Sequence, residues 1–323
     1  MTGLSPVEPQ VHAATHGGTY LADEVTAYAV VALAEPDRVP GSFRRTRAPE
    51  VIARADIVFD VGGVYAPERH RYDHHMRKAP KRPDGTPYSS AGLIWKAFGH
   101  AALRAILGAM PGDRPAELLD RVWQQLDQMF FLPIDRIDNG VQGADELSYV
   151  TLIDDCNPNW TDAEDDEDAA FLRAAAIAEV TLRRKAARVL AHLLADGVVR
   201  EAAARAEDPR ILELPTNLPW QHAIFEAELP VLFVLYCDPE GLWRIDGVPK
   251  ERGSRQLRRP LPKSWAGLRD AELQRASGIA DAAFVHPARV TGGARSRAGV
   301  KAMAQAAIAQ AKSLRTRQRR HTE

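Results

Sequence analysis

Half of the ten histidines fall within the first 75 residues, and three of these, His16, His74 and His75, sit beside carboxylates in glycine-rich or loop contexts. Imidazole and carboxylate ligands without thiolate suit a borderline-to-hard divalent ion, with manganese first and magnesium, iron or zinc behind it. Asp60 interrupts the apolar run Ile57-Val58-Phe59-Asp60-Val61, and a carboxylate at a strand end is the natural bridge between two ions. Two such ions, about 3.5–4 Å apart, generate hydroxide and neutralise a phosphoryl oxygen. Asp23 follows His16 across a Gly-Gly turn, and Asp138 precedes Asn139-Gly140. Each residue has a plainer use: His16 as a turn histidine, Asp60 as a helix cap, Asp138 as turn chemistry. Their order along the chain is what points to a metal site and to phosphoester hydrolysis.

These side chains need elements to hold them. Residues 11–15 read as a strand running into the His16-Gly17-Gly18-Thr19 turn, and Asp23 begins a helix that Pro36 ends. Another helical piece starts near Pro49, and residues 57–61 read as a buried parallel strand whose end faces a ligand. Residues 62–87, rich in Gly, Pro and charge, read as a loop carrying Asp73-His74-His75. Ser89 or Ser90 caps a helix over 91–107, and a second helix over 116–131 buries Leu118, Leu119, Val122, Leu126 and Met129 or Phe130. One helical turn over Ile134 to Asp138 brings Asp135 and Asp138 together, and Asn139-Gly140 stops it. An acidic stretch, 162–168, and an alanine-rich helix, 169–195, follow as a linker. Strand signals at 231–237, 243–248 and 283–290 and a helix from 297 to 314 make up the remainder.

Composition sets the outer bounds. A chain of 323 residues, 45% hydrophobic and 26% charged, is globular and long enough for two domains with a cleft between them. Lys plus Arg number 42 against 43 acids, so recruitment of a polyanion must rest on a local patch. Two distant cysteines, Cys156 and Cys237, exclude a disulfide framework and a thiolate zinc site. Residues 1–10 lack a signal pattern and no stretch reaches the length of a membrane span, so a cytoplasmic protein without membrane contact is expected. The basic residues at 315–321 read as a solvated tail.

The motifs Thr15-His16-Gly17-Gly18-Thr19, Asp23-Glu24, Asp60-Val61-Gly62-Gly63, Arg69-His70-Arg71-Tyr72-Asp73-His74-His75, Ser89-Ser90-Ala91-Gly92 and Asp135-Arg136-Ile137-Asp138-Asn139-Gly140 together resemble the DHH phosphoesterase superfamily. They look most like its melanocyte proliferating gene one-like branch. The resemblance continues through Trp243-Arg244-Ile245, Val248-Pro249-Lys250, Gly267-Leu268-Arg269-Asp270, Ser277-Gly278-Ile279 and Phe284-Val285-His286, covering about residues 11–312. It implies an α/β fold: a mostly parallel-sheet catalytic domain (11–160), a helical linker (161–205), a smaller α+β substrate domain (206–312) and a basic tail (313–323). It also implies that His16 binds a first ion, that Asp60 bridges, and that Asp23, His74 and Asp138 complete a second, with Asp135 as fallback for Asp138. His75 would face the substrate phosphate and Asp73 would orient the histidines. The implied activity is 3′-to-5′ exonuclease-like hydrolysis of short RNA, DNA or nucleotides, with manganese, or alternatively magnesium or another divalent ion, as cofactor.

Two positions depart from the branch. It reads His-X-Asp where this chain has Leu21-Ala22-Asp23, and Gly-Gly-His where this chain has Gly292-Gly293-Ala294. Leucine cannot ligate and alanine cannot reach a phosphate, so a weak first metal site and an altered substrate grip are expected. Arg289, Arg295 and Arg297 around Gly292-Gly293 remain as anion partners next to a helix N-terminus. A degenerate member that holds metal or nucleic acid without turnover is the competing reading.

Overall fold

In residues 10–108, 116–162 and 166–319, which the computed structural model of the chain describes with side chains through Gln310, the first element is β1 (Ala13–Thr15), wholly buried. The turn at His16 to Leu21 leads into α1 (Ala22–Ala34), where all residues from Ala22 to Val31 are buried. A helix apolar on every side needs cover on every side, and α1 has it, packing against the later helices α3 (Ser90–Gly108), α5 (Leu132–Asp138) and α6 (Tyr149–Asp154). Between α1 and α3 the chain forms β2 (Phe43–Arg45), α2 (Pro49–Arg54), β3 (Ile57–Phe59), β4 (Tyr65–Ala66) and β5 (Arg71–Tyr72).

The first sheet has the order β2-β1-β3-β5-β4. β1 runs parallel to β2 and β3, and β3 parallel to β5; only β4, at the edge, is antiparallel. The carboxyl ends of three adjacent parallel strands therefore deliver His16, Asp60 and Asp73-His74-His75 to one side of the sheet. The expectation that 62–87 is wholly loop needs correction: β4 and β5 lie within it. Two-residue strands amid Gly and Pro leave no period to read.

The helix expected over 116–131 and the helical turn expected over 134–138 form one run: α4 (Ala116–Leu126) continues through a π-helical turn (Asp127–Phe131) into α5, the wider turn falling just before Pro133, which takes an N–H out of the ladder. Met129 is 52% exposed and Leu118 and Leu119 only half-buried, so Val122, Leu126 and Phe130 carry the packing. The long helix α7 (Glu167–Ala204) follows. Two compact units meet inside it, at Leu190–Ala191. Of the acidic stretch 162–168, residues 163–165 lie outside the described residues, as do 1–9 and 320–323.

The second unit contains β6 (Ile211–Glu213), α8 (Gln221–Glu226), β7 (Phe233–Cys237), β8 (Trp243–Gly247), α9 (Asp270–Ser277), β9 (Ala282–Val285), β10 (Thr291–Ala294) and α10 (Arg297–Arg319). Its sheet, in the order β6-β7-β8-β10-β9, is antiparallel apart from the β6–β7 pair. One face buries Phe233, Leu235, Ile245, Trp265 and Val285 with Val300 and Met303 of α10. The other buries Val234, Tyr236 and Val248 with Val199 of α7, Ile224 of α8 and Trp220 just before it. Gly292-Gly293, which the arginines named above surround, is the middle of β10. A Cβ on either glycine would lie 2.8 Å from the Phe284 carbonyl or 2.9 Å from that of Trp243, so glycine lets β10 sit between β8 and β9. No helix of the described residues is long and apolar enough to cross a membrane.

Candidate metal centre

Asp60 occupies the centre of the cluster. It follows β3 with φ of 58°, the left-handed region that a branched-off Cβ makes costly, by about 1–3 kcal/mol for a residue other than glycine. Gly62 and Gly63, also at positive φ, then turn the chain away. The carboxylate is 4% exposed as a residue and spans two imidazoles: Oδ2 lies 3.2 Å from His16 Nε2 and Oδ1 lies 3.0 Å from His74 Nε2.

Around this axis are two donor groups. On one side His16 Nε2 is 2.9 Å from Glu24 Oε1 as well as near Asp60. On the other, His74 Nε2 is 3.8 Å from Asp23 Oδ2 and 3.6 Å from Asp138 Oδ2. Within His16, Glu24 and Asp60, and again within Asp23, His74 and Asp138, the ligand atoms all lie within 4.8 Å of one another. A third such group, Asp60, His74 and His75, overlaps both.

Neighbouring elements fix each carboxylate. The N-terminus of α3 holds two: Ser90 donates from its N–H and hydroxyl to Asp23 Oδ2, at 3.2 and 2.7 Å, and Ser89 does the same for Asp135 Oδ1, at 3.0 and 2.7 Å. The two serines expected to cap α3 thus spend their hydroxyls on carboxylates. Asp135 also accepts from Arg82 Nε at 2.5 Å, and Arg82 reaches Asp127 at 2.7 Å. A Cβ on Gly92 would collide with the Asp135 carboxyl, so glycine is what admits this carboxylate against α3. Asp135 and Asp138 therefore share α5 but not a partner set: Asp138 joins the histidines, and Asp135 binds α5 to α3 and Arg82.

Asp73 accepts from Gly63 N–H at 2.6 Å and from His75 N–H at 3.0 Å, and lies 2.9 Å from His75 Nδ1. It holds the turn and one face of a largely exposed imidazole, leaving Nε2 of His75 for another partner. Asn157 brackets the turn that leads into α1, its Oδ1 accepting from Tyr20 N–H at 3.0 Å and its amide donating to Tyr20 O at 2.7 Å.

The electrostatics match this crowding. Burial and the charge of Asp60 push Asp23 above the usual carboxylate range, and burial and Asp23 push Glu24 well above it. Burial and Asp23 raise Asp138 to about 8. Asp60 goes the other way: burial opposes its charge, but hydrogen bonds from His16 and His74 hold it ionised. His16 is pushed up to about 10 by Asp60 and then Glu24. For His74 burial favours the neutral ring, yet Asp60, Asp23 and Asp138 outweigh it and raise it to about 9. Four carboxylates share two imidazoles here, and the buried Glu24 Oε2 has no hydrogen-bond partner. Unpaired buried carboxylate oxygen is costly in a protein without a cation, so this donor set fits a divalent ion.

Glu24 is the residue that the sequence reading passed over as a ligand. Its Oε1 also accepts from Leu21 N–H at 2.9 Å, as a third-position glutamate does at a helix start. Leu21 itself, where the resemblance expects a histidine, has a side chain 48% exposed. The Asp23-Glu24 pair opening a helix after a His-Gly-Gly turn is the signal that was available.

The expected anion partners belong to the second unit. Arg295 pairs with Asp270, Arg297 Nε lies 2.5 Å from Glu213 Oε1, and Arg289, at φ of 60°, donates to Leu261 O at 3.3 Å. Ala294 is wholly buried in β10.

Comparison with known proteins agrees on one family. The MYG1 exonuclease family model, described as an uncharacterised protein family (UPF0160), matches residues 12–308. The chain is similar to the MYG1 exonuclease of Homo sapiens, at 37% identity over 92% of this chain and 85% of the relative. Similar matches are the MYG1 exonucleases of Bos taurus, at 38%, and Rattus norvegicus, at 36%, each covering 92% of this chain and 84% of the relative. No solved structure matches it. With nearly the whole chain aligned to these relatives and the matched span taking in every side chain of the cluster, the chain belongs to the MYG1 family.

Proposed function

We propose that the chain is a metal-dependent phosphoester hydrolase that removes nucleotides from short nucleic acid, as the exonuclease name of its relatives suggests. The observation that carries this reading is the gathering of four carboxylates, Asp23, Glu24, Asp60 and Asp138, around two imidazoles, with Asp60 touching both rings. His16, Glu24 and Asp60 would hold one divalent ion; Asp23, His74 and Asp138, with the other oxygen of Asp60, would hold a second. The set resembles the ligand pattern expected of the DHH phosphoesterases, and Glu24 stands beside His16, where Leu21 offers no ligand. Oxygen-rich coordination favours manganese, with magnesium as the alternative. When bound, such ions acidify water and offset charge on a phosphoryl oxygen.

The chain's own residues do the rest. Asp73 fixes His75 so that its Nε2 donates to a substrate phosphate, and the serine pair of α3 keeps Asp23 and Asp135 from turning away. Arg289, Arg295 and Arg297 with Gly292-Gly293 are the proposed anion contacts of the second unit. The pairs made by Arg295 and Arg297 are solvent-exposed, and such pairs are worth about 0–1 kcal/mol, little enough to exchange for phosphate.

The test is manganese-dependent hydrolysis of bis-p-nitrophenyl phosphate and of a short RNA by the wild type and by Asp60→Asn. Manganese affinity in the variant should fall by more than the roughly 10–100-fold typical of losing an outer-shell partner, and turnover should go with it. Equal manganese binding by both proteins would show the centre to be misassigned. Tight manganese binding without turnover on either substrate would favour the reading that Leu21 has left a binding protein.

A further inference from the structure

A second group of metal-type donors lies entirely in the second unit and shares no residue with the centre above. Asp196, on the last turns of α7, is 7% exposed, and its two oxygens lie 2.8 and 3.1 Å from His222 Nδ1 on α8. Glu226 Oε2, one turn further along α8, is 3.6 Å from the same nitrogen. The three ligand atoms lie within 4.8 Å of one another.

The spacing repeats on both helices. His192 precedes Asp196 by four residues on α7, and His222 precedes Glu226 by four on α8. Residues four apart share a helix face, so each helix presents one histidine and one carboxylate on one stripe. His192 and His222 line the same cavity of about 380 Å³, together with Trp220, Asp246 and Arg252.

We propose that Asp196, His222 and Glu226 form a zinc-type transition-metal site with three protein ligands and a fourth position open to water. Zn–N and Zn–O bonds of about 2.0–2.2 Å in a tetrahedron put donors about 3.3–3.6 Å apart. The His222–Glu226 separation already has that value, and the Asp196–His222 contact needs to open by about half an ångström to admit an ion. With only three donors, one of them imidazole, the group suits a small four-coordinate ion such as zinc or cobalt better than magnesium, which keeps six oxygen ligands. Such an ion would give α8 an anchor that its length does not: six residues are too few for a helix to stand alone. The competing arrangement is a plain hydrogen bond from His222 to Asp196, with Glu226 held by Arg200 at 3.1 Å. Arg200 and Glu226 are each about half exposed, so that ion pair is easily given up.

The test uses the full chain stripped of metal and titrated with zinc and, as a spectroscopic reporter, cobalt(II). An Asp60→Asn background removes the shared ligand of the first centre. In that background the protein should bind one zinc and give the visible absorption of tetrahedral cobalt. Glu226→Gln should weaken zinc by at least about tenfold, and His222→Ala should abolish the cobalt band, with far-UV circular dichroism unchanged in both. If His222→Ala does not fold, the surface change Glu226→Gln decides alone. Unchanged zinc affinity in Glu226→Gln, or no tetrahedral cobalt band in its parent, would overturn the site and leave an Asp–His hydrogen bond.

Discussion

Asp138 shows how burial among acids acts on a single side chain. Its carboxylate lies near Asp23 in a largely buried setting, and its pKa rises from 3.8 to about 8. A carboxylate raised on folding binds protons more tightly in the folded state, so its share of stability is full below pH 4 and lost as pH climbs through 8. Asp138→Asn should therefore raise the melting point of metal-free protein, and the gain should grow between pH 5 and pH 8. Each kcal/mol recovered moves the midpoint by roughly 2–4 °C for a unit of this size. With saturating manganese the order should reverse, because the wild type gains binding energy that the variant cannot. Thermal melts with and without manganese at both pH values check this. A variant less stable than wild type in the metal-free state would mean that Asp138 has a partner beyond this cluster. A second residue-scale expectation concerns Glu24: Glu24→Gln should lower manganese stoichiometry from about two toward one, measured by calorimetry, while Leu21→His should leave it unchanged because Glu24 already stands beside His16. A rise in stoichiometry in Leu21→His would show that the first site is open. That His16, Asp23, Asp60, His74 and Asp138 stand together was legible because strand ends and glycine turns bring such residues to one end of a sheet. Glu24 was not, since a glutamate at the third position of a helix has an ordinary capping duty, and here it performs that duty with the same oxygen that meets His16.

At the scale of elements, the contact between α3 and α5 decides where two of the carboxylates stand. Gly92 lies against the Asp135 carboxyl with no room for a methyl group, and the serines just before it hold Asp135 and Asp23. Gly92→Ala would gain helix propensity on an isolated helix, by up to about 1 kcal/mol. In place it must push α3 away or expel Asp135 from Arg82 and Ser89, and overpacking of this kind costs about 1–3 kcal/mol. The net expectation is a lower melting point together with weaker manganese binding, because Ser90 moves with Ser89 and releases Asp23. Loss of stability with unaltered manganese affinity would show that Asp23 is positioned independently of α3. Long apolar periods made α1, α3 and α10 readable from sequence, and the buried strand β3 was readable from its unbroken run. The strands β2, β4, β5 and β6 were not, being two or three residues long with no alternation to detect. β10 was hidden for a different reason: Gly292 and Gly293 signal a turn locally, while the close approach of Phe284 and Trp243 backbones uses the same property to pack a strand.

Across the whole molecule the formal charge is −1, so attraction of a polyanion must come from a local concentration of cations. Sequence alone supplied that balance and the basic residues near β10, but it did not show that acids stand beside them. Arg295 and Arg297 are both more than half exposed, as is Asp270, and Glu213 is about one-third exposed. Water screens such pairs, and a phosphate that accepts from the same guanidinium returns most of what the pair loses. Binding a single strand there should release counterions, with log K falling against log salt by about 0.7 per phosphate contacted. Neutralising Arg289, Arg295 and Arg297 together should therefore flatten that slope by up to about 2 and weaken oligonucleotide binding at low salt far more than at high salt. Hydrolysis of bis-p-nitrophenyl phosphate, which carries a single phosphate, should be unaffected, which separates a substrate grip from damage to the fold. Fluorescence anisotropy of a labelled short RNA across a salt series, alongside the small-substrate assay, makes the comparison. An unchanged slope would remove these arginines from the substrate path and leave His75, beside the cluster, as the phosphate contact that remains.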